Sequence, residues 1–173
     1  SAKSLKELTI PTVDTARYSY LLDLSLASKT PLLLVGPTGT GKTMCIQEKM
    51  TGLSDEEFAS LSLTFTAQTS AAMIQVYNKS SVNHFKFDGL INVHQDLILS
   101  RLDRRKKGVF GPPAGKRCLI FVDDLNMPAK ETYGAQPPLE LLRQYFDYRQ
   151  WYDRKEATLM EIQDIQIWAA MGP

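Results

Sequence analysis

The sequence predicts an α/β fold built on one strand–glycine loop–helix unit, and three observations carry that prediction. Leu32-Leu33-Leu34-Val35 is a short apolar run that reads as a buried strand. It leads directly into Gly36-Pro37-Thr38-Gly39-Thr40-Gly41-Lys42-Thr43, and Lys42 to Met50 then contains no Gly or Pro and favours helix. Some 80 residues further on, Cys118-Leu119-Ile120-Phe121-Val122 is the most strand-like run in the chain, and it closes in Asp123-Asp124.

The glycine loop fits the Walker A pattern G-x-x-x-x-G-K-[ST] at every specified position. Three glycines free the backbone to turn N–H groups towards an anion, and the following helix adds the positive end of its dipole. Lys42 supplies a point charge for β- and γ-phosphates, and the Thr43 hydroxyl is suited to Mg²⁺. A nucleoside triphosphate is the expected ligand. The acidic pair completes the arrangement: Asp123 is placed to hold Mg²⁺ through water, beside the phosphate loop, and Asp124 to orient an attacking water.

Bulk properties fit one domain over residues 1–173. The net charge is +1 and 43% of residues are hydrophobic, so global charge gives no reason to expect DNA. No apolar run approaches the ~20 residues that span a bilayer, and no membrane partner is expected. The N-terminus lacks the apolar core of a signal peptide, and its missing initiator Met suggests a fragment or a cleaved tag. Cys45 and Cys118 show no metal-ligand spacing and read as buried, reduced thiols.

Taken in order, Thr12 caps a first helix with Asp14 in its first turn, and Val13, Ala16, Tyr20, Leu24 and Ala27 form an apolar face at helical spacing. Lys29-Thr30-Pro31 breaks that helix ahead of the loop's strand. Gly52 stops the loop helix, and Ser54 with Glu57 resembles a capping box. Ser60 to Thr66 alternates, with Leu61, Leu63 and Phe65 on one face of a second strand, and Ala67 to Ser70 opens a helix through Ile74. Residues 76–94 keep no period and read as a loop or insertion; His84 and His94, within it, lack the neighbours of a metal site. Leu97 to Leu102 looks helical and runs into Arg101, Arg104, Arg105, Lys106 and Lys107, read as a solvated helix end or hairpin, with turns at Gly108 and Gly115. Pro138 suits the first turn of a helix carrying Leu139, Leu142 and Phe146 on one side. Trp151 and Tyr152 read as surface or hairpin, and Asp164 to Ala170 as the last strand.

From Phe121 to Gln144 the sequence (FVDDLNMPAKETYGAQPPLELLRQ) resembles the third AAA+ module of an axonemal dynein heavy chain. Residues 10–15 (IPTVDT), the glycine loop, 66–71 (TAQTSA), 102–113 (LDRRKKGVFGPP) and 164–167 (DIQI) fit the same pattern in the same order. The resemblance covers nearly the whole chain except 76–94. It implies a P-loop NTPase of the AAA+ type, with a five-stranded parallel sheet in the order 5-1-4-3-2 and helices on both faces. It also implies a ring of six modules in one long chain, in which the third binds ATP or ADP and regulates the motor site of the first. The implied partners are the neighbouring AAA+ modules, microtubules through a distant stalk, and dynein intermediate and light chains through other regions. The implied location is the cytoplasm and the axoneme of a cilium or flagellum.

Carried over by position, Gly36, Pro37, Thr38, Gly39, Thr40, Gly41, Lys42, Thr43 and Met44 surround the nucleotide, while Thr43 and Asp123 serve Mg²⁺. Ile10 and Pro11 match the segment lining the adenine pocket, and Lys42 and Asp124 are the catalytic candidates. Three departures bear on activity. Asp124 stands where active AAA+ enzymes usually carry Glu, and a carboxylate held back by one methylene can cost ~10²-fold in rate. The polar sensor residue, the helical lid and a trans-acting arginine lie outside the chain, so the isolated fragment is expected to be nearly inactive; the arginine alone is worth ~10³ to 10⁵. Residues 76–94 are an insertion relative to the family. Two other readings remain open, a structural ring element that holds ADP permanently and a DNA-associated P-loop ATPase using Arg101 to Lys107.

Overall fold

The computed structural model describes residues 12–68, 98–152 and 158–173. Along the chain these form α1 (Val13–Ser28), β1 (Leu32–Val35), α2 (Lys42–Thr51) and β2 (Phe58–Thr64). A 3₁₀ turn (Leu99–Arg101), β3 (Asp103–Lys106), β4 (Val109–Gly111) and β5 (Arg117–Asp123) follow. The last elements are α3 (Pro137–Tyr148), β6 (Gln150–Tyr152), β7 (Leu159–Ile162) and β8 (Ile165–Met171). The insertion reading of 76–94, the helix through Ile74, both histidines and the Ile10–Pro11 segment lie outside the described residues.

The main sheet is parallel and runs β1-β8-β5-β2. The five-stranded sheet expected from the resemblance is thus four-stranded among the described residues. Numbered along the chain, its strands occupy the places 1-4-3-2; β1 is left at an edge with Leu33 and Val35 exposed, so the strand is as expected but its reading as buried is not. β5 and β8 read as near-continuous apolar runs because both of their faces are covered. Leu119 and Phe121 of β5, with Trp168 and Ala170 of β8, pack against Leu22 of α1 and Ile46 and Met50 of α2. Cys118, Ile120 and Val122, with Ile165, Ile167 and Ala169, face the other way, towards Leu141, Leu142 and Tyr145 of α3. Helices therefore cover both faces, as expected. Burial pushes the Cys118 thiol up to about 12, with Arg101 partly opposing. Cys45 is only half-buried, its thiol raised by burial and then by Glu48, so the buried reading holds for one cysteine.

A second, mixed sheet, β3-β4-β7-β6, was not foreseen. Its seed is the basic stretch, which forms the antiparallel β3–β4 pair around Gly108 (φ 76°), so the hairpin alternative is the correct one. Arg105 is committed there: its guanidinium bonds Asp164 and the Pro112 carbonyl, which removes it from any free basic stripe. Of the two readings of Trp151, surface or hairpin, the second holds: β6 pairs antiparallel with β7, and the sheet brings Trp151 into the core at 0% exposure. The indole N–H donates to Leu141 O (2.9 Å), and its ring lies 5.6 Å from that of Tyr145.

Two helix faces also differ from expectation. In α3 the buried set is Pro138, Leu141, Leu142 and Tyr145, while Phe146 is exposed and Leu139 half-buried. Tyr145 takes the inward place because its hydroxyl finds Ile165 O at 2.7 Å, which removes the cost of burying it. Thr12 does cap α1, in reciprocal bonds with Thr15. The buried side of that helix, however, is Leu22 and Ser25 with Leu26 half-buried, and Val13, Ala16, Tyr20, Leu24 and Ala27 face solvent. Gly52 ends α2 in a right-handed conformation, so its left-handed freedom is not used. Ser54 with Glu57 forms a turn into β2, which begins at Phe58, and not a helix start.

The C-terminal end of α1 is clamped by a buried polar group. Gln166 of β8 donates to Ser25 O (2.9 Å), Ser25 Oγ (3.1 Å) and Thr30 O (2.7 Å), and accepts from Arg117 (3.0 Å). Trp168 Nε1 donates to the same Ser25 hydroxyl at 2.8 Å. Gln166→Leu strips four of these bonds and leaves the Arg117 guanidinium short of a partner. It should cost about 2 kcal/mol and lower Tm by about 4–8 °C. A thermal melt with an unchanged midpoint would show that the clamp contributes nothing.

Candidate nucleotide site

The site is built where β1 gives way to α2. Gly36 leaves the strand with its N–H bonded to Met171 O (3.3 Å), so the loop's first residue is pinned to β8. Gly39 (φ 83°) and Gly41 (φ 80°) then adopt the left-handed conformation that turns the chain sharply. A Cβ at either would meet nothing within 4 Å, so backbone conformation, and not space, requires glycine there. Gly36 has no such conformation, and an added Cβ would make only an ordinary 3.6 Å contact with Thr40 Oγ1.

Gly41 is the N-cap of α2, and among the described residues no side chain caps that helix end. No acidic residue lies in its first turn either. The uncapped N–H groups and the positive dipole end therefore face the loop, a setting that suits phosphate oxygens. Lys42 folds over the loop, its Nζ donating to Gly36 O (2.7 Å), Pro37 O (2.8 Å) and Thr40 Oγ1 (3.3 Å). Thr40 in turn donates to Pro37 O at 2.9 Å. Three-fold anchoring gives the cation a defined position. Pro37, Thr38, Gly39 and Thr40 are exposed, Thr43 is half-buried, and Met44 is 47% exposed.

Asp123 ends β5 half-buried, in register with Thr64 of β2. Its Oδ1 accepts the Asp124 N–H at 3.0 Å. Asp124 is exposed and sits at φ 53°, a left-handed conformation that Asp tolerates better than most residues. Leu125 N bonds Ala170 O (3.1 Å), which ties the acidic turn to β8 as well. The acidic turn and the glycine loop stand on either side of β8, as the 1-4-3 part of the expected strand order implies. β8 lies between, and two strand spacings make about 10 Å at the level of the sheet.

Both groups nevertheless share one end of the parallel sheet, outside the carboxyl ends of its strands, where α/β folds bind ligands. Residues 170–172 were missed as part of this site because their apolar run signals only a strand. Asn126 was also missed. A Cβ on Gly172 would lie 3.7 Å from its Nδ2, which puts an amide at the same sheet end. Its only sequence signal is its place two residues after the acidic pair.

A glycine loop joining a strand to an uncapped helix, with an acidic strand end across a parallel sheet, defines the P-loop class of protein. A family model described as the P-loop containing dynein motor region matches residues 1–87 and 78–173. The chain belongs to that family. It is 46% identical over 170 residues to dynein axonemal heavy chain 12 of Mus musculus, covering 98% of this chain and 5% of that protein. Dynein axonemal heavy chain 3 of Homo sapiens is 46% identical over 169 residues, covering 98% of this chain and 4% of its own length. Dynein axonemal heavy chain 1 of Mus musculus is 47% identical over 167 residues, covering 96% and 4% respectively. The chain spans about one-twentieth of the curated relatives it matches.

Left-handed glycines and an ordinary one make separate predictions. Gly41→Ala should cost about 1–2 kcal/mol of stability through its φ alone, whereas Gly36→Ala should fall within about 0.5 kcal/mol of the parent. Denaturant titration of the two variants checks the contrast. Equal losses would mean that the conformations at 36 and 41 are not as described.

Proposed function

We propose that this chain is the third AAA+ module of an axonemal dynein heavy chain, binding ATP or ADP to regulate a motor that works in the axoneme of a cilium or flagellum. The uncapped α2 N-terminus under the Gly36–Thr43 loop is the observation that carries the nucleotide reading. Loop and helix amides take the phosphates, Lys42 Nζ neutralises their charge, and Met44 lies one residue further into the helix. Thr43 and Asp123 would hold Mg²⁺ through their oxygens, and the ion would supply charge neutralisation to the phosphates. Ile10 and Pro11 take the adenine side. Residues 76–94 are an insertion relative to the family in this reading.

Hydrolysis at this site is slow in this reading, with Asp124 as the acid that orients water. The shorter carboxylate already limits reach, and φ 53° adds a second constraint. Restoring length with Glu at 124 places a residue less suited to the left-handed region, so reach and backbone comfort oppose one another. That same observation favours the second reading, a ring element that holds ADP permanently. Exchange of bound ADP for added ATP in the full ring separates the two: exchange supports regulation, and its absence supports the structural role. Neighbouring AAA+ modules are the direct partners, and microtubules are reached through a distant stalk.

Calorimetry with ATP and ADP, with and without Mg²⁺, tests the nucleotide reading. Lys42→Ala removes a charged donor worth about 1.5–3 kcal/mol and should weaken binding by about 10- to 150-fold. Equal affinity for parent and variant would exclude the loop as the binding site.

A further inference from the structure

The acidic turn carries one neutral hydrogen-bonding side chain, Asn126, and the turn itself does not use it. Met127 N bonds Asp124 O (2.9 Å), so Leu125 and Asn126 are the central residues of a tight turn. Asn is common in turns because its side chain bonds the backbone two residues on. Here the carboxamide of Asn126 is exposed and bonds nothing among the described residues. Its place is set by the backbone. Leu125 N is held by Ala170 O (3.1 Å), and Asp124, at φ 53°, turns the chain back over the sheet end. The amide nitrogen comes to rest where a Cβ on Gly172 would be 3.7 Å away. Gly36, which opens the glycine loop, is bonded to Met171 O (3.3 Å). Ala170, Met171 and Gly172 thus lie in succession against the acidic turn, the glycine loop and the Asn126 amide.

We propose that Asn126 is a specificity residue of the nucleotide site, its side-chain amide donating to the γ-phosphate and so favouring a triphosphate over a diphosphate. This rests on the nucleotide reading of the Gly36–Thr43 loop. Distance supports it. Asp123 and Asp124 end a strand two spacings from β1, about 10 Å, whereas the Asn126 amide stands over β8, one spacing or about 5 Å nearer. Charge supports it as well. A carboxylate repels a phosphate oxygen and meets it only through a metal ion or water, whereas a neutral N–H donor can approach it directly. The loop amides cradle the α- and β-phosphates, which ATP and ADP share. Discrimination between the two nucleotides must come from groups that reach the γ-phosphate. In the turn 123–127, Asn126 has the one side chain that offers a hydrogen-bond donor for it.

The test photolabels the full-length heavy chain with azido-ATP and quantifies labelled peptides from these 173 residues by mass spectrometry. Displacement by ADP, or by the non-hydrolysable imido analogue of ATP, gives the affinity of this site for each. Asn126→Ala should weaken the triphosphate about tenfold or more, as one hydrogen bond to a charged group implies, and leave ADP within about twofold. Asn126→Asp keeps size and turn preference but exchanges the donor for a negative charge, so it should weaken the triphosphate further still. Equal losses for both nucleotides, or an unchanged triphosphate affinity in either variant, would overturn the proposal. Lys42→Ala in the same assay keeps the two readings apart. Labelling that does not depend on Lys42 sinks the nucleotide reading and this proposal with it. Lys42-dependent labelling with the triphosphate preference intact in Asn126→Ala sinks this proposal alone.

Discussion

The site depends on one pairing pattern, the insertion of β8 between β1 and β5. Leu32 to Val35 pair with Trp168 to Met171, and Cys118 to Val122 pair with Ile165 to Ala169. Where the strands end, consecutive carbonyls of β8 take the N–H groups that open the two functional turns: Ala170 O holds Leu125, and Met171 O holds Gly36. The distance from glycine loop to acidic turn is therefore set by two strand spacings and not by side-chain reach. A slip of β8 by one residue would move both turns and reverse every core contact of that strand.

That pairing is secured from both faces. On one side, Trp168 and Ala170 meet α1 and α2; on the other, Ile165, Ile167 and Ala169 meet α3 and the second sheet. Gln166, the one buried polar residue in the strand, bonds the end of α1 and thereby the segment leading into β1. Burying an amide without partners would be costly, so its place in β8 is stabilising only because all of its main partners are supplied by one turn of chain and Arg117. The strand that positions the site and the helix that precedes it are thus held by the same side chain.

At the acidic turn the backbone and the chemistry pull in the same direction. A carboxylate that accepts its neighbour's N–H, followed by a left-handed residue, is a conformation natural to Asp. The short acid at 124 is consistent with the turn that carries it. The two pieces of the site are set differently: the glycine loop is formed by consecutive residues, whereas Asp124 sits across β8 in a left-handed conformation.

Much of this was legible in the residues. Strand, glycine loop and helix follow from a short apolar run, three glycines and a helix-favouring stretch, all of them local. β5 and the Leu61–Leu63–Phe65 face of β2 follow from apolar runs and alternation. What local pattern could not supply was which neighbour each face would meet. It chose the wrong side of α1, because apolar residues lie on both; it chose Phe146 over Tyr145, because the hydroxyl's partner is 20 residues away; and it left Trp151 between surface and hairpin, because its cover comes from β7 and α3. The second sheet was invisible for the same reason, its strands being short and its pairings distant. The sequence by itself determined the loop, its lysine and its flanking elements, since left-handed glycines and helix ends are properties of a few consecutive residues. Only the tertiary structure decided how far Asp123 and Asp124 stand from that loop, since that separation is set by a strand nearly fifty residues further along the chain.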